Sequence, residues 1–280
     1  MRKTSVLSTP ILSTPAFLAL VLALGSLAAC NRSEPAPEQK AQEPVAAAPA
    51  PPLTYKRTSP DAEVSLELPV EVGEATALYA KLYSEGRNTL DAFAEGATAE
   101  LADLRAAGAP ARQLAQDLNY KLTAETPKLI GLELTDFQNT GGAHPNTVVT
   151  GLVWDKAAGR LLEAKDLFRP GADLAKANAA LCDAIHTAKA ARKQTLELSG
   201  DLKACPAIDT VSLTLAPSDQ VGRAGGLIAV FSPYVLGPYS EGAYRVTVPN
   251  TALQGVLAPA YEAGFLGTAP PNPAGTADGA

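Results

Sequence analysis

The sequence is poor in the residues that carry most enzymatic chemistry. It holds only two histidines, His144 and His186, in 280 residues. They are too far apart for an H-x-x-x-H metal motif, and no Asp-Asp pair occurs. No serine sits in G-x-S-x-G, and neither a P-loop nor G-x-G-x-x-G is present. Carboxylate pairs for glycoside cleavage are defined by their separation in space, not by spacing along the chain. Motifs therefore give no support to catalysis, and no catalytic residue or cofactor is expected. Cysteine is scarce too, with three in the chain, no C-x-x-C and no zinc-type spacing, so no metal site is expected. Basic residues are outnumbered, 23 against 29 acidic ones, and a phosphate-binding face needs the opposite balance. Nucleic acid is excluded as a partner on that ground.

What is present begins at the N-terminus. Arg2 and Lys3 precede an apolar core at residues 16–24, which Gly25 and Ser26 interrupt. A positive start, a short apolar stretch and small residues at its end describe a secretory signal. The stretch falls short of the about 20 residues that a transmembrane helix needs. The run Leu27-Ala28-Ala29-Cys30 resembles the lipobox of bacterial lipoproteins. That resemblance implies cleavage after residue 29, lipid on Cys30, and a membrane partner reached through the lipid alone. Asn31 follows the cysteine, where aspartate favours inner-membrane retention in Gram-negative lipoproteins. The expected location is the cell envelope, at the outer membrane and facing the periplasm.

Residues 31–52 are rich in Pro, Ala, Glu and Gln, with Val45 as the one large apolar side chain. Such a segment buries too little surface to offset its chain entropy. Its prolines extend it towards polyproline II, at about 3.1 Å per residue. It is expected to be a disordered spacer, and the Pro/Gly/Ala tail at 268–280 is expected to be disordered as well. Residues 53–267 are enough for one large domain or two small ones. Without Arg2 and Lys3, 21 basic residues face 29 acidic ones, leaving eight excess negative charges. Such a surface steers basic partners, and it also serves solubility. Beyond Cys30 two cysteines remain, Cys182 and Cys205, and an oxidising compartment favours their pairing. In the chain-entropy account that closure stabilises by roughly 3 kcal/mol.

Period-two alternation predicts a strand over 63–72, with Pro69 suggesting a sheet edge or a bulge. Leu78, Leu82, Leu90, Phe93, Ala97, Leu101 and Leu104 mark the apolar stripe of a long helix over 74–107, which Gly86 and Gly96 bend or split. Strands follow at 114–123, 128–139 and 147–155. A second helix spans about 172–193, with Leu174, Leu181, Ile185 and Ala188 on one face. Further strands fall at 210–215, 227–232 and 244–248. The expected class is α+β: two long helices packed on mostly antiparallel sheets.

Two local sequences stand out: Asn139-Thr-Gly141-Gly142-Ala-His144-Pro145, and Ser232-Pro-Tyr234-Val-Leu-Gly-Pro-Tyr239-Ser-Glu-Gly242. Between them lie a strand, Lys165-Asp-Leu-Phe168 and a helix, and Val246-Thr-Val-Pro249 follows. This order resembles the RsiV/PdaC-like superfamily, extracytoplasmic proteins that pair a PdaC-like domain with an RsiV-type C-terminal domain of unknown function. The resemblance spans about 53–257 and implies a PdaC-like half at 53–140 and an RsiV-like domain at 141–267. It implies binding and not catalysis, because RsiV-type outer domains bind lysozyme and the PdaC domain accompanies a separate deacetylase. No cytoplasmic segment able to hold a sigma factor is expected, and the Asp-Asp and H-x-x-x-H motifs of a deacetylase do not occur in the sequence.

On their own chemistry, Gly141 and Gly142 suit a tight turn. His144 serves its own loop, a ligand or a proton transfer. Tyr234 and Tyr239 either cap the core through their hydroxyls or form an aromatic contact surface. Trp154 reads as core, and Asp155 and Asp166 as solvated or capping. Three functions compete: an envelope module that binds a lysozyme-like protein or peptidoglycan, a hydrolase of cell-wall glycan or peptide, and a structural lipoprotein. The first is the expectation, with Gly141, Gly142, His144, Tyr234 and Tyr239 as its candidate contacts.

Overall fold

The computed structural model describes residues 50–270. The leader, Cys30 and spacer residues 31–49 lie outside the described residues, as do tail residues 271–280. Among the described residues no helix is long and apolar enough to cross a membrane.

Six strands form the first sheet in sequential order: β1 (Thr54–Thr58), β2 (Ala62–Glu67), β3 (Leu114–Glu125), β4 (Leu129–Asn139), β5 (Asn146–Asp155) and β6 (Arg160–Leu161). β2 and β3 run parallel, and every other neighbouring pair is antiparallel. A parallel pair needs a long crossover. The short helix α1 (Val70–Glu74) and the long helix α2 (Thr76–Ala106) provide it. The sheet takes strands from both sides of residue 140.

The strand expected over 63–72 is shorter in the structure. It ends at Glu67, because Pro69 sits at the N-cap of α1 and residues 70–74 turn helical. Proline lacks an N–H, but the first turn of a helix has no use for one there. β2 is also not the sheet edge. That place belongs to the almost fully exposed β1, which its polar sequence TYKRT hid from a hydrophobic pattern. Neither Gly86 nor Gly96 splits α2, which runs unbroken from Thr76 to Ala106. A Cβ on Gly86 would lie 3.1 Å from Leu66, so glycine brings the helix close onto β2. Leu78, Leu82, Leu90 and Leu101 of α2 bury against Val64, Leu66, Ile130, Leu132 and Trp154.

The second sheet holds β7 (Ser212–Ala216), β8 (Gly226–Phe231) and β9 (Tyr244–Pro249), all antiparallel. Val246 and Val248 on one face of β9 pack with Leu181 and Ile185 of helix α3 (Ala175–Ala191). Arg245 on the other face makes a bidentate pair with the buried Glu133 of β4, at 2.7 Å through both nitrogens. The layers therefore run α2, first sheet, second sheet, α3. The α+β class with mostly antiparallel sheets is the one observed. Cys182 of α3 is disulfide-bonded to Cys205.

The two sheets meet backbone to backbone. β7 crosses over β5, β4 and β3. A Cβ on Gly151 would lie 2.6 Å from the Leu213 carbonyl carbon, and one on Gly131 would lie 2.8 Å from the Leu215 nitrogen. Hydroxyls supply the hydrogen bonds at this crossing. Ser212 Oγ accepts from Gly151 N at 2.7 Å and donates to Gly151 O at 3.3 Å. Ser232 Oγ does the same for Val149, at 3.0 and 3.2 Å. Each serine stands in for a neighbouring strand, so this part of the β5 edge is satisfied without one.

Asp155 closes β5. Its carboxylate accepts from Ala157 N, Ala158 N and the Tyr261 hydroxyl, tying the C-terminal segment to the first sheet. Burial pushes the carboxyl upward, but the Tyr261 hydroxyl and the two N–H groups, with Arg160 nearby, hold it below its ordinary value of 3.8. Burial first, then the Asp155 carboxylate, pushes the Tyr261 hydroxyl up to about 12. A carboxyl lowered in the folded state adds stability above its unfolded pKa and loses it as pH falls through the folded one. Acid denaturation should thus begin below about pH 4 in part through Asp155. Asp155→Asn should flatten that limb of a stability–pH curve, and an unchanged limb would rule the contribution out.

Candidate functional site

The two distinctive motifs, 90 or more positions apart, converge. Gly141 is left-handed at φ +78, and its N–H donates to the Asn139 side chain, which turns the chain out of β4. Gly142 needs no positive φ. The turn delivers His144, whose ring stacks on Tyr239 with centroids 4.1 Å apart and planes 19° from parallel. Tyr234 completes the cluster, 5.5 Å from Tyr239. The Pro145 carbonyl can only accept, so His144 Nδ1 carries the hydrogen and donates to it at 3.0 Å. In the neutral ring Nε2 then accepts from the Tyr234 hydroxyl, which lies 3.2 Å away. The Tyr239 hydroxyl donates to the same Pro145 carbonyl. The structure thus brings His144, Tyr234 and Tyr239 together, with Gly141 and Gly142 in the approach loop and not in the cluster.

Tyr234 is 45% exposed and has φ +72. Val235 N donates to Ser232 O, closing a turn with Pro233 and Tyr234 at its centre. Position three of such a turn favours glycine or asparagine, and a larger residue there costs on the order of 1–2 kcal/mol. A bulky aromatic is held in strain and out towards solvent. Beside it lies a depression of about 390 Å³. Val148–Thr150 after the first motif, Ser232 and Val235 of the second, and Leu202 and Pro206 line it.

Beneath the second motif is a support that the sequence reading missed. Lys189 of α3 is fully buried and bonds the Glu241 carboxylate at 2.8 Å and the Leu236 carbonyl at 3.1 Å. The Tyr244 hydroxyl donates to the same carboxylate, and Arg192 binds the carbonyls of Glu241 and Ala243. Burial and then the hydrogen bond to Glu241 raise the Tyr244 hydroxyl far above its usual range. A Cβ on Gly237 would strike the Glu241 carboxylate, which accounts for glycine in Gly-Pro-Tyr. A signal for this pair was available. Leu181, Ile185 and Lys189 share a four-residue repeat, so the lysine falls on the buried face. Of the other sequence candidates, Trp154 is core, Asp155 caps a turn, and Asp166 bonds Arg160 and caps the 3-10 turn at Ala164–Leu167.

A family profile described as "Deacetylase PdaC" matches residues 56–147, and one described as "Protein of unknown function (DUF3298)" matches 165–251. The two matches lie in tandem along the chain. A crystal structure of a DUF3298-family member from Bacteroides fragilis superposes with a TM-score of 0.50 at 14% identity, covering 73% of this chain and 91% of that one. A DUF3298-family protein from Pseudomonas aeruginosa PAO1 gives a TM-score of 0.44 at 18% identity, over 75% and 96%. No curated protein matches. The first likeness supports the fold. The PdaC–DUF3298 tandem suggests an envelope-associated protein. Its aromatic cluster is composite: His144 lies in the PdaC match, and Tyr234 and Tyr239 lie in the DUF3298 match.

Proposed function

We propose that this chain is a cell-envelope lipoprotein, anchored through Cys30 at the outer membrane, whose PdaC–DUF3298 tandem is a non-catalytic binding module for a lysozyme-like protein. The observation that carries the reading is the composite His144–Tyr239–Tyr234 cluster, exposed at its outer edge and buttressed beneath. Strain spent on turning an aromatic outward is typical of contact sites, and tyrosine is enriched at the cores of interfaces. The net negative charge would draw a basic enzyme, and salt would weaken that pull. Calorimetric titration with a c-type lysozyme at low and physiological salt tests it. Micromolar or tighter binding that survives physiological salt is the expected result. Absence of binding discards lysozyme and moves peptidoglycan fragments, for which a stacked aromatic pair also suits a sugar face, to the front.

Tyr234→Gly separates interface from scaffold. Removing the left-handed penalty of about 1 kcal/mol or more offsets the roughly 0.5–1 kcal/mol that glycine's flexibility costs. The melting temperature should hold or rise slightly, while binding weakens by roughly thirtyfold. A variant that binds as well as the parent would remove Tyr234 from the interface.

A further inference from the structure

His186 has no metal spacing in sequence, yet the fold brings it to the cystine. Cys182 and His186 are one turn apart on α3, and Cys205 arrives from the following loop. The two sulfurs and an imidazole nitrogen all lie within 4.8 Å of one another, with His186 Nε2 4.0 Å from Cys205 Sγ. All three residues are half-buried. Among the described residues this is the one cluster of histidine, cysteine and acidic groups close enough to share an ion.

A second observation keeps the geometry available when the sulfurs part. Ile208, three residues after Cys205, is fully buried, and its N–H donates to the Asn178 side chain on α3 at 2.8 Å. The segment carrying Cys205 is therefore pinned to the same helix by contacts that do not involve sulfur. Zinc–thiolate bonds of about 2.3 Å require the sulfurs to separate to roughly 3.8 Å in a tetrahedron. Residues 199–202 are held to the main chain of 234–236, and the exposed residues 203–204 between that anchor and Cys205 can absorb the movement.

We propose that Cys182, His186 and Cys205 form a redox-gated site for a borderline or soft d-block cation of the zinc class. The disulfide closes it. A dithiol reductant opens it by exchange: the Cys182–Cys205 bond takes up two electrons and two protons, and the reductant becomes a disulfide. Binding then expels the two thiol protons, so the ion meets two thiolates and a neutral imidazole, with a fourth position left for water. Two sulfurs and one nitrogen select against magnesium and calcium, which prefer oxygen.

The test uses the detergent-solubilised full-length chain carrying Cys30→Ser, so that no third thiol contributes. After reduction with dithiothreitol and anaerobic desalting, Co²⁺ is titrated. The reduced protein should develop a thiolate-to-cobalt charge-transfer band that saturates at one equivalent and is bleached by Zn²⁺. The oxidised protein should show none. His186→Ala should weaken binding by at least about tenfold. Absence of the band in the reduced, folded protein overturns the proposal. So does equal affinity in His186→Ala, which would leave two adventitious thiols. Should reduction unfold the domain by circular dichroism, Zn²⁺ must restore the folded signal in the parent and not in His186→Ala. Failure to do so also overturns it.

Discussion

Lys189→Met is expected to lower stability by about 3–5 kcal/mol, on the order of 10 °C in melting temperature for a domain of this size. Methionine fills the space but leaves the Glu241 carboxylate, 5% exposed, without its cation. It also strips a donor from the Leu236 carbonyl. The pair as a whole need not be worth that much, because desolvating two charges consumes most of their attraction. Lys189→Met combined with Glu241→Leu should therefore be milder than the single change. Adding Tyr244→Phe, which removes the hydroxyl that the carboxylate accepted, should recover more. Chemical denaturation of these proteins together with the Glu241→Leu single variant gives the Lys189–Glu241 coupling energy. A single-variant cost below about 1 kcal/mol, or strict additivity, would show that the charges are not mutually dependent. The single variant should also loosen the second motif, since Lys189 and Arg192 hold the main chain at Leu236, Glu241 and Ala243.

Gly151→Ala is expected to cost about 3 kcal/mol, at the upper end of overpacking penalties. What the new Cβ meets is the Leu213 main chain, and a main chain cannot rotate aside as a side chain does. The sheets must separate, weakening the Ser212 hydroxyl bonds and the Thr123–Thr214 contact at the same crossing. Gly131→Ala should do similar harm through Leu215, and the two together should fall short of additive because either change opens the same seam. Gly96→Ala serves as the control. It lies inside α2 with nothing within 4 Å of the added atom, and it should stabilise by roughly 0.5–1 kcal/mol. If Gly151→Ala behaves like Gly96→Ala, the sheets are not locked at this point.

Local patterns made the elements legible and left the contacts between elements hidden. β3, β4, β5 and α2 follow their apolar periods closely, and Ile130 and Leu132 face the α2 core as their alternation requires. β1 escaped notice because an exposed edge strand has no apolar period. The 63–72 reading ran too far because Val70 and Val72 continue the alternation of β2 while belonging to a helical turn. The parallel β2–β3 pairing depends on where α2 returns the chain, which no local window encodes. At the site the candidates His144, Tyr234 and Tyr239 were visible as motif residues, but their stacking is a fact of tertiary structure. The repeat of Leu181, Ile185 and Lys189 places the lysine on the buried face, but its pairing with Glu241 and the approach of His186 to the cystine are facts of tertiary structure too.

Ser232 has a consequence for kinetics. Its hydroxyl grips Val149, five residues after His144, and its carbonyl closes the turn that carries Tyr234. One residue thus fixes both loops in mutual register before any encounter. A ligand of this surface would meet a preset shape and lose little freedom in ordering it. Its arrival would then follow diffusion and charge, and its residence time would follow the aromatic contacts. Added salt should slow the association rate while leaving the dissociation rate nearly constant.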